Sequence, residues 1–173
     1  MLMEALPESR MILLVRDPRD VAASHLDSSS EDSWRNRNLF EKLGESGPSR
    51  SPDVVVEEST KGFLQSMGNA KQAYDAHEGR KVLVRYEDLR EDTLGIMQRI
   101  YSALEIPVEE KDLRRAVEKH SWENIPEEQK GEGKFYRKAS PGAWREDLTP
   151  EQVETVERIT APLLREFYPN GIP

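Results

Sequence analysis

The sequence predicts an α/β domain with a parallel sheet, and two apolar runs separated by helical segments support this prediction. The runs are Met11–Val15 and Val82–Tyr86, and each has the length of a strand. Helical patterns follow each run, which is typical of parallel strands joined by crossover helices. We therefore expect the order strand, helix, loop, helix, strand, helix within one domain spanning residues 1–173.

The first apolar run ends in a basic residue that could bind a phosphate. Met11–Val15 is apolar throughout, which predicts a strand buried on both faces. The dipeptide Asp17-Pro18 indicates a helix start, so Arg16 falls at the carboxyl end of the strand, where ligands bind in open α/β sheets. Ser24 lies about two turns into the helix, where its hydroxyl could share an anion with Arg16. A surface ion pair of Arg16 with Asp17 or Asp20 is the alternative.

The middle of the chain predicts a long loop and a core helix. The polar stretch Asp27–Pro52 is rich in Gly, Pro and Ser and is expected to form a loop with a short helical piece around Trp34–Leu43. Glu57–Ala76 shows apolar residues at helical spacing, which predicts an amphipathic helix packed in the core. Its apolar stripe consists of Phe63, Leu64, Met67, Ala70 and Tyr74.

Three further helices are predicted toward the C-terminus. Asp92 is placed to cap the first, and Lys111–His120 is expected to form the second. Thr149 and Gln152 have the spacing of a capping box at the start of the last helix, and Pro162 is expected to kink that helix. Its predicted inward residues are Val153, Val156, Ile159, Leu163, Leu164 and Phe167.

Four segments resemble, in order, motifs of sulfotransferases that use 3′-phosphoadenosine-5′-phosphosulfate (PAPS). They are LVRDPRDVAAS, which ends at Ser24, then VLVRYEDL at Val82–Leu89, HSWENI at His120–Ile125 and RKASPGAW at Arg137–Trp144. The resemblance extends from about residue 6 to about residue 168. It implies a P-loop-NTPase-like three-layer sulfotransferase fold.

The resemblance also implies a nucleotide site and a reaction. The residues it assigns to the 3′-phosphate are Arg16, Ser24, Arg137 and Lys138, with Ala139 in the same loop. Those it assigns to the adenine are Tyr86 and Trp122. The implied reaction is in-line attack by an acceptor hydroxyl or amine on the sulfur of PAPS, with adenosine 3′,5′-bisphosphate (PAP) leaving. We expect no metal site, because the spacing of the histidines shows no ligand pattern.

Simpler roles remain open for the aromatic residues of these segments. Trp122 could anchor its loop to the core instead of stacking on adenine. Tyr86 could pack at the end of its strand. Trp144 is expected to pack so that it holds the loop of Arg137 and Lys138 in place.

The sequence departs from the family pattern in two places. The Gly-rich loop that cradles the 5′-phosphosulfate is absent, as is the general base upstream of Arg16. We therefore expect a domain that lacks its first strand and phosphate loop, and the catalytic residues are unidentified because none of the three histidines matches the base. Ala139 replaces the usual Gly, and its Cβ would weaken phosphate binding if the backbone there needs a positive φ or must approach the phosphate closely.

The composition argues against two classes of binding partner and indicates a cellular compartment. A chain of 173 residues with 36% hydrophobic content supports one modest core. The net charge of −8 argues against a general binder of nucleic acid or anionic membranes. Because the chain has no cysteine, it can form no disulfide and fits a cytoplasmic location.

One basic island interrupts this acidic background. Residues 130–138 contain four basic residues and a single acidic one, Glu132. The basic residues are Lys130, Lys134, Arg137 and Lys138. A bound polyanion would explain the island, and a solvated loop is the alternative.

These observations leave three hypotheses. The first is a sulfotransferase that uses PAPS as co-substrate and modifies a small-molecule or glycan acceptor. The second is a catalytically inactive PAP- or PAPS-binding or protein-interaction module. The third is a fragment whose unpaired sheet edge promotes self-association.

Overall fold

The structure is a computed structural model that describes residues 8–29, 50–131, 134, 136 and 140–171. The helical piece expected around Trp34–Leu43 and the site residues Arg137, Lys138 and Ala139 lie outside the described residues. The chain divides into two compact units. The first comprises Met1–Arg16 and Gln65–Asn124, and the second comprises Asp17–Leu64 and Ile125–Pro173.

The first unit contains a parallel strand pair, as the sequence predicted. Strand β1 (Met11–Val15) pairs with β2 (Lys81–Arg85), with Met11 opposite Lys81 and Val15 opposite Arg85. Between the strands run two helices, α1 (Pro18–Ser28) and α2 (Pro52–Ala76), among the described residues. After β2 follow α3 (Tyr86–Glu91), α4 (Thr93–Ala103), α5 (Glu110–Lys119) and the 3-10 helix Trp122–Asn124.

Helix α4 packs against β2 to form the core of this unit. Val82 and Val84 of the strand are buried together with Ile100 and Leu104. Asp92 caps α4 by accepting a hydrogen bond from the backbone N–H of Gly95, as predicted.

The prediction that the first strand is buried on both faces is wrong. Leu13 and Val15 are buried, but Ile12 and Leu14 on the opposite face are 49% and 47% exposed. By register, Ile12 and Leu14 share a sheet face with Val82 and Val84. The apolar residues of α4 cover that face at β2, whereas at β1 the side chains of Ile12 and Leu14 are about half exposed.

The second unit is helical around a small apolar core. It holds α1, the N-terminal part of α2, the 3-10 helix Glu127–Gln129, α6 (Trp144–Asp147) and α7 (Pro150–Phe167). The buried residues of its core cluster are Ala22, Ala23, Val56, Leu148 and Val156.

The predicted helix starts of this unit are confirmed. Asp17 caps α1, with Pro18 in the first turn, and accepts a hydrogen bond from the backbone N–H of Arg19. Thr149 and Gln152 form the reciprocal capping box at the start of α7. Helices α1 and α7 therefore begin where local side chains satisfy free N–H groups of the first turn.

Helix α2 differs from its prediction. It starts at Pro52, and its buried residues are Val56 and Thr60. In the predicted stripe, Ala70 is exposed, so its assignment to the core is wrong. The remaining stripe residues, Phe63, Leu64, Met67 and Tyr74, are half-buried. The sequence fixes which residues share a face, but the depth of burial depends on what packs against each turn.

Helix α7 continues through Pro162 to Phe167. Val156, Leu163 and Phe167 are buried as predicted, whereas Val153, Ile159 and Leu164 are only half-buried. Two polar residues are buried instead, because each has a hydrogen-bond partner. Gln152 donates to the Asp53 carboxylate (2.8 Å), and the Thr160 hydroxyl donates to the carbonyl of Val156 (2.7 Å).

In the part of the chain with assigned structure, no helix is both long and apolar enough to cross a membrane.

Candidate functional site

Two of the predicted site residues emerge side by side at the carboxyl edge of the strand pair. Arg16 directly follows β1, and Tyr86 directly follows β2 as the first residue of α3. The last pair in the register is Val15 with Arg85, so Arg16 and Tyr86 are the next residues along each strand. In open α/β sheets this edge is where ligands bind.

The Arg16 guanidinium stacks on the Tyr86 ring, with its Cζ atom 4.7 Å from the ring centroid. Both residues are half-buried, and a cation–π contact of this kind contributes roughly 0.5–2 kcal/mol. The Nε atom of Arg16 is buried and has no hydrogen-bond partner among the described residues. A buried donor without a partner is costly, so this position fits an anionic ligand that supplies the missing acceptor.

The alternative of a surface ion pair for Arg16 gains little support from the two aspartates concerned. Asp17 is held by Arg19, with 3.0 Å between Asp17 Oδ2 and Arg19 Nη2. Asp20 accepts two backbone N–H groups, from Gly142 and Trp144.

The stacking of Arg16 on Tyr86 was missed by the sequence reasoning, which weighed only adenine contact and strand-end packing for Tyr86. The two motifs alone would not have revealed it. Aligning LLVR with VLVR pairs Arg16 with Arg85, whereas the observed register pairs Val15 with Arg85 and so brings Arg16 beside Tyr86.

Trp122 lies in the short 3-10 helix that follows α5 and is half-buried. The same 3-10 helix is tied back to α5 because the side chain of Asn124, its last residue, donates to the carbonyl of Glu118 (2.5 Å). Both roles predicted for Trp122, adenine stacking and anchoring of its loop, stay predictions.

Ser24, the predicted hydroxyl partner, lies on α1 in the second unit and is exposed. One helical turn earlier, Asp20 is only 3% exposed. Its Oδ2 accepts the backbone N–H of Gly142 (2.8 Å), and its Oδ1 accepts that of Trp144 (3.1 Å). Gly142 has a φ of +83°, a left-handed conformation that disfavours a side chain. The sequence analysis did not find this contact, which joins positions 122 and 124 residues apart.

Arg19 forms a second link between α1 and the same segment. It pairs with Asp17 and with Glu157 (2.8 Å), and its guanidinium lies 4.1 Å from the Trp144 ring centroid. Burial acts to lower the pKa of Arg19, but the hydrogen bonds and charges of Asp17 and Glu157 outweigh it and raise the pKa. Trp144 packs against the core cluster of this unit, and its predicted role in holding the loop of Arg137 and Lys138 stays a prediction.

The basic island is only partly described. Lys130 pairs with Glu127 (2.7 Å) and its side chain is 10% exposed, so its charge is compensated locally.

The histidines differ from one another in their surroundings. His25 is exposed on α1, while His77 is buried with its Nε2 3.0 Å from the carbonyl oxygen of Ser9. Over the described residues, no group of three His, Cys, Asp or Glu side chains could hold a metal ion.

The fold and this geometry define an α/β protein with a cationic side chain at the carboxyl end of a parallel strand. The family model described as "Sulfotransferase domain" matches residues 2–168. The chain therefore belongs to the sulfotransferase domain family, as its four motifs predicted.

A solved structure shares the fold. It is a crystal structure of retinol dehydratase in complex with androsterone and the inactive cofactor PAP, with a TM-score of 0.57 and 20% sequence identity. The match covers 93% of this chain and 50% of the other, so the chain spans half the length of that protein. No curated protein matches the chain.

Proposed function

We propose that this chain is the nucleotide-recognising part of a PAPS-dependent sulfotransferase that transfers a sulfuryl group to a hydroxyl or amine. Membership of the sulfotransferase domain family supports sulfuryl transfer in general. The fold neighbour is a complex with PAP, the product that PAPS would leave. That complex also holds androsterone, which is consistent with a small-molecule acceptor for this chain.

The observation that carries this proposal is the state of Arg16. Its Nε is buried and lacks a partner among the described residues, and its guanidinium plane is held by Tyr86. A 3′-phosphate would supply charged acceptors for such a donor, and charge-assisted hydrogen bonds are the stronger kind. In a chain of net charge −8, an anion needs such local donors.

Further donors are proposed from the motifs. Ser24 offers an exposed hydroxyl, and Arg137 and Lys138 offer positive charges in the loop that precedes Gly142. Trp122 is proposed to stack on the adenine. When bound, PAPS supplies the sulfuryl group and a stable leaving bisphosphate, and the residues of this chain hold and orient the nucleotide.

The second candidate is a module that binds PAP or PAPS without chemistry of its own. Ala139 favours it, since the family places Gly at this position of the loop and a Cβ there would hinder a close backbone approach to phosphate. Both candidates require the same 3′-phosphate site and differ in turnover.

Calorimetric titration of the chain with PAP tests the shared site. We expect saturable binding, and we expect Arg16→Ala to weaken it by about tenfold to a hundredfold, since a hydrogen bond to a charged group contributes about 1.5–3 kcal/mol. Adenosine 5′-monophosphate, which lacks the 3′-phosphate, should bind far more weakly. Arg80→Ala is the matched control because Arg80 is an exposed arginine of the same unit that pairs with Glu105.

Three results would separate the candidates. Sulfuryl transfer from PAPS to a phenol or amine acceptor would support the enzyme. Binding of PAP without transfer by the chain would favour the module. A folded chain that does not bind PAP would refute both.

A further inference from the structure

The geometry points to Asp20 as a positioning residue for Gly142 and Trp144, at the C-terminal end of the RKASPGAW motif, an inference that rests on the proposed 3′-phosphate site. Asp20 lies in the first turn of α1 and is 3% exposed. Its two carboxylate oxygens accept the backbone N–H groups of Gly142 and Trp144, at 2.8 Å and 3.1 Å. These two residues form the C-terminal end of the RKASPGAW motif.

The contact fixes backbone, which is what a phosphate-binding loop needs. Both hydrogen bonds go to main-chain donors, so they define the path of the chain and not only the direction of a side chain. Each has a charged acceptor, and such bonds are about twice as strong as neutral ones. Gly142, with its φ of +83°, allows the turn that brings two N–H groups separated by one residue to a single carboxylate.

The anchor also lies one helical turn from the predicted hydroxyl donor on α1. Ser24 is one turn beyond Asp20 on α1, and side chains four positions apart lie on the same helix face. Asp20 therefore tethers Gly142 and Trp144 beside the helix face that carries the predicted hydroxyl donor.

Arg19 makes a second contact with the same segment, through the side chain of Trp144. Its guanidinium lies 4.1 Å from the ring centroid of Trp144, and Arg145 stacks on the same ring at 4.7 Å. This contact holds the indole side chain, whereas Asp20 holds the main chain. The two adjacent residues of α1 thus hold one loop end in different ways.

The sign of the expected effect separates positioning from simple electrostatics. Asp20 is negative, and a bound 3′-phosphate is also negative. If Asp20 acted only through its charge, its neutralisation would tighten PAP binding. If it positions the loop end, neutralisation weakens PAP binding because Gly142 and Trp144, at the C-terminal end of the motif that carries the proposed phosphate donors, lose their anchor.

The test uses Asp20→Asn in the full chain. The amide keeps the shape of the carboxylate but offers a single acceptor oxygen, and its NH2 group would face one of the two backbone N–H groups. We expect the Kd for PAP to rise by about tenfold, the order expected when a hydrogen bond to a charged group is lost. We also expect faster hydrogen exchange at the amides of Gly142 and Trp144.

Thr160→Val is the matched control for a purely structural effect. Thr160 is a fully buried polar residue of the same unit whose hydroxyl donates within α7, and it has no place in the proposed site. The titrations are made well below the unfolding temperature of each variant, so a loss of stability alone leaves the Kd unchanged. We expect this variant to bind PAP within about twofold of the wild type. The hydrogen bond that it loses is internal to α7, and the effects of distant, independent sites do not couple.

Each other outcome decides against the inference. A folded Asp20→Asn variant that binds PAP as tightly as the wild type, or more tightly, would overturn it and leave the proposed function standing. An equal loss in Thr160→Val would also overturn it, as would unchanged hydrogen exchange at Gly142 and Trp144. A wild-type chain that does not bind PAP would remove the proposed function and this inference together.

Gly142→Ala tests the same contact from the loop side if Asp20→Asn does not fold. The added Cβ is incompatible with the positive φ and meets the side chain of Arg145. We expect about the same tenfold rise in the Kd for PAP, since the N–H of residue 142 would move away from Asp20. PAP affinity equal to that of the wild type in this variant would overturn the inference.

Discussion

The stacking of Arg16 on Tyr86 makes the role of the tyrosine measurable. Tyr86→Ala removes the ring that lies 4.7 Å from the guanidinium carbon. A half-buried cation–π contact contributes about 1 kcal/mol, and this free energy corresponds to about a fivefold change in affinity. If the ring orients Arg16 toward a 3′-phosphate, Tyr86→Ala should raise the Kd for PAP by about this factor. Tyr86→Phe keeps the aromatic face and should change the Kd by less than about twofold.

A double-mutant cycle with Arg16→Ala measures whether Tyr86 affects PAP binding through Arg16. Calorimetric titration with PAP on the wild type, both single variants and the double variant yields the coupling energy between the two side chains. We expect a coupling of about 1 kcal/mol, so Tyr86→Ala should have almost no effect once Arg16 is absent. Thermal unfolding of all four proteins shows that each is folded at the titration temperature.

Two outcomes would refute this reasoning. If Tyr86→Ala weakens PAP binding equally with and without Arg16, the tyrosine acts on the nucleotide directly, as adenine contact requires. If Tyr86→Ala lowers stability and leaves PAP binding unchanged, the ring is only packing at the end of β2. The cycle therefore decides between the two roles that the sequence left open and the positioning role that the structure suggests.

Three changes in the second unit should alter its stability in urea unfolding. Arg19→Met should cost about 3 kcal/mol, because it breaks the ion pair with the Asp17 carboxylate, which is 1% exposed. The matched loss of an exposed ion-pair lysine in Lys61→Met should leave the midpoint unchanged, and similar midpoints for both variants would contradict the assignment. Thr149→Ala should cost about 1 kcal/mol through loss of the capping box, and a stability equal to the wild type would show that the cap is dispensable. Val156→Ala should cost about 2 kcal/mol, since the side chain is fully buried and removal of its methyl groups leaves a cavity. A loss of stability below about half that value would mean that neighbouring side chains fill the cavity.

Local signals in the sequence predicted the helix starts because the interactions are local. Asp17, Asp92 and Thr149 each cap a helix through a hydrogen bond to an N–H group two or three residues away. Such contacts depend on spacing alone, so no knowledge of the fold is needed to find them. The parallel pairing of the two apolar runs was also predictable, since the segment between them carries helices of crossover length.

Burial and long-range contacts could not be predicted in the same way. The apolar residues Ile12 and Leu14 indicated a buried strand, yet their exposure depends on what covers each face of the sheet. Asp20 was considered as an ion-pair partner for a residue four positions earlier, whereas its acceptors meet N–H groups more than 120 residues away. A carboxylate gives no sequence signal that separates a neighbouring cation from a distant backbone as its partner.

The RDPRD segment shows why an acidic chain can present a cation to an anionic ligand. It places two arginines and two aspartates within five residues, and neutral pairing of all four would leave no donor for a phosphate. The structure divides them differently. Asp17 is matched by Arg19, and Asp20 is satisfied by two neutral backbone amides that bring no positive charge. Because Asp20 is stabilised by dipoles and not by a cation, the buried Nε of Arg16 needs an acceptor from elsewhere. Under the proposed function, the amides of Gly142 and Trp144 thus serve two purposes: they fix the loop end and they leave Arg16 available for the proposed anion.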